Sequence, residues 1–426
     1  MLFFIATAIL GVSISYSSIY LFHVALFSLC VYFISSVIKN DLSITKPVLP
    51  TKYHKFFYIM FWWYLLTIVW SIDKAVSLQY MVYIFCGVTI AITIIYFSAN
   101  IEKQNKVFKV VSIVFFIEIF FCLLESLTSF RLPVSAYSKY LSFFGRENVL
   151  ENFSAKTFTP TGFEWNPNTL AAVLNITLPF FLLHKRMLVK LAGSSIILFL
   201  IVATGSRGNF VAATLILFCF IYFLNKRRAL ILGFLLPVLG FLGFLLVNPL
   251  LKVSSNPKIR AAYDSFNTLK IYFTSYEGRD DSIGVRRMLI ENGLNGLKTS
   301  NGLGIGGGAS KLIVSNGIPW LPETYPMHNF WIELLVEGGI LFFAIFVLWY
   351  FKVLLDLYKI SISKITTVRL RYFSSASLLA MIGFSVGAVS ASSTIYVLPM
   401  WVLFGFAIAT INNHKRTLLN NKEATA

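Results

Sequence analysis

Charged residues are scarce in this sequence. They make up 13% of 426 residues, against about a quarter in soluble globular domains, and that shortage excludes a soluble protein. Acidic residues are scarcer still, 18 against 36 lysines and arginines. Cysteine is limited to Cys30, Cys86, Cys122 and Cys219. Each lies inside an apolar run, where a thiol behaves as a small hydrophobe, so neither a disulfide framework nor a Cys/His metal-ligand spacing is present. What the chain has in excess is apolar surface, 57% of all residues, gathered into segments of the length needed to cross a hydrocarbon layer roughly 30 Å thick.

These segments fall at about 2–17, 19–38, 56–71, 77–98, 107–128, 168–183, 188–204, 208–224, 229–247, 329–351, 372–390 and 394–411. The expected fold is an all-α integral membrane protein of about twelve transmembrane helices, with a large helical extracytoplasmic loop between the ninth and tenth. The first 40 residues are too long for one crossing and short for two. No cleaved signal peptide is expected, because the amino terminus lacks a positive charge and no small-residue cleavage site ends the first run. With both termini in the cytoplasm, more than half of the 36 basic residues fall on the cytoplasmic side, as the positive-inside rule requires. The net charge of +18 therefore records topology, and nucleic acid is not an expected partner.

The pattern divides the chain into amino-terminal transmembrane helices (1–128), a first outer loop (129–167), further transmembrane helices (168–247), a large extracytoplasmic loop (248–328), and carboxy-terminal helices with a cytoplasmic tail (329–426). Loops on a rigid scaffold carry a disproportionate share of function, so both outer loops are searched for chemistry. In the larger one, Ile283, Met288, Leu289 and Leu294 recur loosely at helical intervals. Glycines 302, 304, 306, 307 and 308 then impose turns. One or two amphipathic helices followed by a tight glycine loop are expected.

Four constellations stand out. In "TGSRGNF" (204–210), Arg207 points a phosphate-matching fork into the outer interface, with a glycine leaving the approach open; the alternative is an arginine that snorkels at a span end. In "YEGRDDSIGVRRMLIENG", Arg279, Arg286 and Arg287 crowd the face where positive charge is depleted. A phosphate-bearing ligand would explain them, and a solvated surface paired with Asp280 and Asp281 is the alternative. His328 opens a long apolar helix, where free N–H groups and the dipole favour a neutral ring able to accept a proton; the alternative is a hydrogen-bonded interfacial histidine. Glu333 and Glu337, one turn apart on that helix, are too costly for lipid and should face the interior or a polar cavity, as structural partners rather than catalysts. Finally, in "GFEWNPNTLAAVLN" (162–175), Asn166 and Asn168 read as helix caps, or with Glu164 as the lining of a sugar-hydroxyl site.

Together these stretches resemble the O-antigen ligase and O-antigen polymerase superfamily. The residues that carry the resemblance are "NPNTLA" (166–171), "SRG" (206–208), "SIGVR" (282–286), "GLGIG" (302–306) and "HNFWIELLVEGGI" (328–340). The similarity runs from about 160 to 345, and the amino-terminal spans agree with the family only in hydropathy. The resemblance implies a metal-independent, inverting, membrane-embedded glycosyltransferase of the GT-C type without a cofactor. Its donor would be a glycan on undecaprenyl pyrophosphate at the outer face of the bacterial inner membrane. Carried over by position, Arg207 and Arg286 would hold the pyrophosphate, with Arg279 as the second candidate for the loop arginine, and His328 would be general base. Arg287, Glu164, Asn166 and Asn168 would contact pyrophosphate or sugar. Many members have tryptophan four residues after the loop arginine, where this chain has Ile290, which bears on the choice between Arg286 and Arg279. Expected partners are the glycan donor, a glycan or lipid-core acceptor, the bilayer, a flippase and a chain-length regulator. Polymerisation of lipid-linked repeats is the leading reading, ligation of a finished glycan the close alternative. A lipid-linked sugar transporter ranks lower, because it would need charges along several spans.

Overall fold

The computed structural model describes residues 1–17, 19–39, 49–133, 135–138, 140, 142–144, 159–224, 282–316 and 323–423. Among these the structure is almost wholly helical: α1 (Leu2–Ile9), α2 (Leu21–Ile38), α3 (Lys55–Thr67), α4 (Lys74–Phe97), α5 (Ile101–Leu127), α6 (Pro167–Leu182), α7 (Met187–Ala203), α8 (Arg207–Leu224), α9 (Ser282–Thr299), α10 (Phe330–Ile362), α11 (Val368–Gly387) and α12 (Leu398–Glu423). The chain forms two compact units, Met1–Ile216 with Leu289–Ala426, and Leu217–Met288. The second unit contains, among the described residues, the end of α8 and the first turns of α9 with Arg286 and Arg287. The expected span at 229–247 and Arg279 lie outside the described residues.

In the first unit α4 lies along α12, α6 packs between α7 and α11, and α10 packs on α11. Phe330, Phe342, Phe346, Tyr350, Phe384 and Trp401 fill the centre. The outside is equally apolar, with Phe116, Phe120, Leu341, Leu348 and Phe351 exposed. A surface of that kind is stable only against lipid. Helices α4, α5 and α10 are each long and apolar enough to cross a membrane. The starts of the helices follow short polar caps: Asp73 accepts from Ala75 N (2.8 Å) and Val76 N (3.1 Å), and Asn100 from Lys103 N (2.9 Å). Each cap satisfies main-chain donors that an apolar environment would leave bare.

Two departures from the expected spans bear on the fold. The apolar run 2–17 is not one spanning helix: α1 ends at Ile9, and an antiparallel hairpin pairs Ser15 with Tyr20. Hydropathy did not register this break, because Val12, Ile14 and Ile19 are as apolar as a span while Gly11 turns the chain with φ +53°. At the other end, α10 continues past residue 351 to Ile362. Its last turns bury Leu357 and Ile360 while Lys359 reaches Asp356 at 4.0 Å, so amphipathic packing extends the helix beyond its wholly apolar part.

The expected glycine loop is present, and its partner is a break in α10. Gly339 has φ 78°, ψ 172°, a conformation open essentially to glycine alone. The break frees carbonyls that the loop then satisfies. Ile305 N donates to Val336 O (3.0 Å), Gly306 N to Glu337 O (3.2 Å), and Ile340 N returns to Gly302 O (2.9 Å). Trp63 Nε1 caps Gly338 O at 2.8 Å, and Trp70 Nε1 holds Gly304 O at 3.1 Å. These five bonds pair main-chain groups that the break and the loop would otherwise leave bare.

Candidate functional site

Beside this broken helix lies a cavity of about 390 Å³. The loop before α6 contributes Glu164, Trp165 and Asn166, and α4 contributes Tyr80 and Tyr83. Ser310 and Lys311 come from the single 3-10 turn after the glycine loop, Glu333 and Glu337 from α10, and Ser393 and Tyr396 from the α11–α12 connection. The wall is completed by Tyr325, Pro326 and Met327, immediately before His328.

Both α10 carboxyls face this cavity, as their cost in lipid required. Glu333 Oε1 accepts from Tyr80 Oη (2.9 Å) and from Ser393 Oγ, and Glu337 Oε1 accepts from Ser310 Oγ (2.6 Å). Glu164 is set by a different carboxyl. Glu125 on α5 accepts from Thr161 N (2.7 Å), Gly162 N (2.8 Å) and Leu132 N (3.2 Å), and this clamp fixes the turn that carries Glu164. Burial pushes the Glu164 carboxyl up to about 7, because a charge there loses its hydration.

Asn166 is the N-cap of α6: its Oδ1 accepts from Thr169 N (3.0 Å), while Nδ2 donates to Ser392 Oγ (3.2 Å). It therefore fulfils the capping expectation and also lines the cavity. Asn168 is not among the cavity's residues; its carbonyl accepts from Asn209 Nδ2 at 3.1 Å. Asn209 is fully buried, donates to Ser206 Oγ (3.0 Å) and receives Asn175 Nδ2 on its own carbonyl (2.9 Å). Gly208 does not hold an approach open: a Cβ there would come within 2.7 Å of Ser390 Cβ, so the glycine lets the turn seat on the α11–α12 connection. Ser206 Oγ lies 3.2 Å from Ser390 Oγ. Arg207, between these two anchors, is exposed.

His328 has φ 51°, a left-handed conformation uncommon outside glycine that tends to mark functional sites. Its ring tilts against Tyr325, 5.3 Å between centroids. The following residues fix it from behind: Asn329 caps α10 through Ile332 N (3.3 Å), Phe330 N donates to Ala388 O (3.2 Å), and Trp331 Nε1 donates to Ser385 O (2.8 Å).

One short segment, Ala388–Ser393, thus joins three of the four constellations. Ser390 receives the Ser-Arg-Gly turn, Ala388 and Ser393 the helix that follows His328, and Ser392 the Asn166 cap. Sequence reasoning had no reason to single it out. Its only signal is the polar interruption "SASST" between two spans. Tyr80 was missed because an aromatic inside a span is ordinary. Arg286 is half-buried and Arg287 exposed on α9, within the second unit.

A family model described as O-antigen ligase matches residues 192–347. That stretch of the chain is similar to the O-antigen ligase family. It contains Arg207, Arg286, Arg287, the glycine loop, His328, both α10 glutamates and the break at Gly339. Glu164, Asn166, Tyr80 and the Ala388–Ser393 segment lie outside it, so the matched stretch lines this cavity together with helices that precede and follow it. The chain is also similar over 97% of its length to "Teichuronic acid biosynthesis protein TuaE" of Bacillus subtilis (strain 168), with 22% identity across 83% of that protein. Its long apolar helices and apolar exterior mark it as a membrane protein, and over 192–347 it is similar to the O-antigen ligase family.

Proposed function

We propose that the protein polymerises oligosaccharide repeats carried on undecaprenyl pyrophosphate into a surface polysaccharide, at the outer face of a bacterial inner membrane. The observation that carries this reading is the joint anchoring of the arginine-bearing turn and the histidine-bearing turn on Ala388–Ser393, at the edge of a cavity rich in carboxyls and aromatic rings. In the proposed topology both termini are cytoplasmic, about twelve spans cross the membrane, and the segment 248–328 is the main outer loop.

In the proposed reaction the hydroxyl of an acceptor sugar attacks the anomeric carbon of the donor glycan. The bond from that carbon to the pyrophosphate oxygen breaks, and the anomeric centre inverts. His328 takes the hydroxyl proton, a role suited to a neutral imidazole within reach of the nucleophile. Arg207 and Arg286, with Arg279 and Arg287 nearby in sequence, meet the charge that develops on the departing diphosphate. Fixed cationic forks are well suited to that task without a metal. The lipid-borne leaving group accounts for a site at the membrane boundary. A flippase would supply the donor and a chain-length regulator would limit the product.

The second reading is a ligase that passes the finished glycan to a lipid core or another acceptor; the family model's own description favours it. Purified protein given only lipid-linked repeats separates the two. Ladders of longer lipid-linked glycan support polymerase, and transfer that starts only when a distinct acceptor is added supports ligase.

A further inference from the structure

The cavity holds more than its own hydrogen bonds use. Glu164, Glu333 and Glu337 are 5%, 2% and 1% exposed. Yet Glu164 Oε1, Glu333 Oε2 and Glu337 Oε2 have no hydrogen-bond partner among the described residues. A buried acceptor without a donor is costly to the fold, and three on one cavity suggest that the donors arrive with a ligand. All three side chains are held in place through their other contacts: Glu333 by Tyr80 and Ser393, Glu337 by Ser310, and the Glu164 turn by Glu125. Flat rings of Tyr80, Tyr83 and Trp165 line the same space. Fixed acceptors among aromatic faces suit a ring that presents several hydroxyls at its edge and C–H groups on its faces.

We propose that this cavity is a sugar subsite whose three glutamates accept hydrogen bonds from one ring, and that it takes a neutral or amino sugar in preference to a uronic acid. The preference follows from charge. A uronate would add a fourth carboxyl to three already sharing one desolvated space, with Lys311 as the single lysine or arginine in the lining among the described residues. Like carboxyls in such a site disfavour one another's ionisation. An amine, by contrast, would meet acceptors on several sides. That the bound ring is the acceptor sugar rests on the glycosyltransferase reading and on the position of His328 next to Met327 in the wall; the binding preference does not.

The test is saturation-transfer NMR on the full chain in lipid nanodiscs. The probes are the methyl glycosides of glucose and galactose, their 2-amino forms and their 6-carboxylates, at neutral pH. The neutral and amino glycosides should receive saturation, and the uronides at least about threefold less. Glu164→Gln and Glu337→Gln each turn an acceptor into a mixed amide and should weaken the neutral signal by about tenfold, the scale of one charged hydrogen bond. A melting curve like the wild type's guards against misfolding. Uronides that bind as well as neutral glycosides, or variants with unchanged binding, overturn the proposal. Elongation of lipid-linked repeats is measured in parallel. Sugar binding without elongation removes the polymerase reading and leaves the subsite standing, whereas normal elongation by both variants overturns the assignment of the bound ring as the acceptor sugar and leaves the polymerase.

Discussion

Replacing Gly339 with alanine attacks the join between the broken helix and the glycine loop. At φ 78°, ψ 172° an alanine pays about 1–3 kcal/mol in backbone strain alone. Its Cβ would also come within 2.4 Å of Leu303 O and 2.7 Å of Gly302 O. These are main-chain atoms that cannot rotate away, so the loop itself must move. Moving it breaks the bonds from Ile305 N to Val336 O, Gly306 N to Glu337 O and Ile340 N to Gly302 O, each contributing about 0.5–1.5 kcal/mol. The expected loss is about 3–7 kcal/mol in all. Gly205→Ala is the matched control: φ is 68° there, but nothing lies within 4 Å of a new Cβ. It should cost only the left-handed penalty, about 1–2 kcal/mol. Thermal unfolding of both variants in detergent, followed by tryptophan emission, reads the difference. Trp63 and Trp70 report directly, since their indole N–H groups hold Gly338 O and Gly304 O. A Gly339→Ala protein as stable as the Gly205→Ala one would refute the argument that the loop and the helix break are a single structure.

Arg207→Lys keeps the charge but loses the fork; glycan transfer should fall about tenfold or more, with the melting temperature unchanged because the side chain is exposed. Normal turnover would reduce Arg207 to a marker of the span end. Glu125→Ala leaves the N–H groups of Leu132, Thr161 and Gly162 without their acceptor and should destabilise the protein by about 3–5 kcal/mol. Limited proteolysis should then cut between residues 129 and 167 sooner than in the wild type, and an unchanged digestion pattern would dismiss the clamp. Glu164 contributes a pH dependence of defined sign. Its folded value of about 7 lies above the ordinary 4.5, so the neutral form suits the fold. Its contribution is complete below pH 4.5 and is lost as pH rises to 7 and beyond, about 3 kcal/mol in total. Melting curves of wild type and Glu164→Gln should therefore diverge between those values and run parallel above them. Parallel curves throughout would mean that Glu164 ionises normally.

Local features were legible in the sequence wherever a residue's own chemistry dictated its environment. Asn166 before Pro167 caps a helix whatever the fold around it. Glu333 and Glu337 cannot face lipid, so an inward cavity followed from their presence alone. Glycines 302, 304, 306, 307 and 308 announced turns. What escaped notice depends on partners distant in the chain. Tyr80 and Glu333 are 253 residues apart, and nothing near Tyr80 distinguishes it from other aromatics in spans. The Ala388–Ser393 segment acquires its importance from three motifs that dock on it, each encoded elsewhere. The break at Gly339 was hidden because a Gly-Gly pair is compatible with a continuous apolar helix; only the loop that supplies donors to the freed carbonyls makes the break favourable. The early end of α1 was hidden for a related reason, since a small apolar hairpin and a span have the same hydropathy.

The most direct test of the account is elongation by protein in liposomes given undecaprenyl-pyrophosphate-linked repeats in the presence of EDTA, comparing wild type with His328→Asn. Asparagine tolerates the left-handed backbone at φ 51° and replaces the imidazole with an amide that cannot serve as a base. The account predicts ladders from the wild type despite the chelator, and none from a variant that still binds the donor lipid; ladders of equal length from both would contradict it.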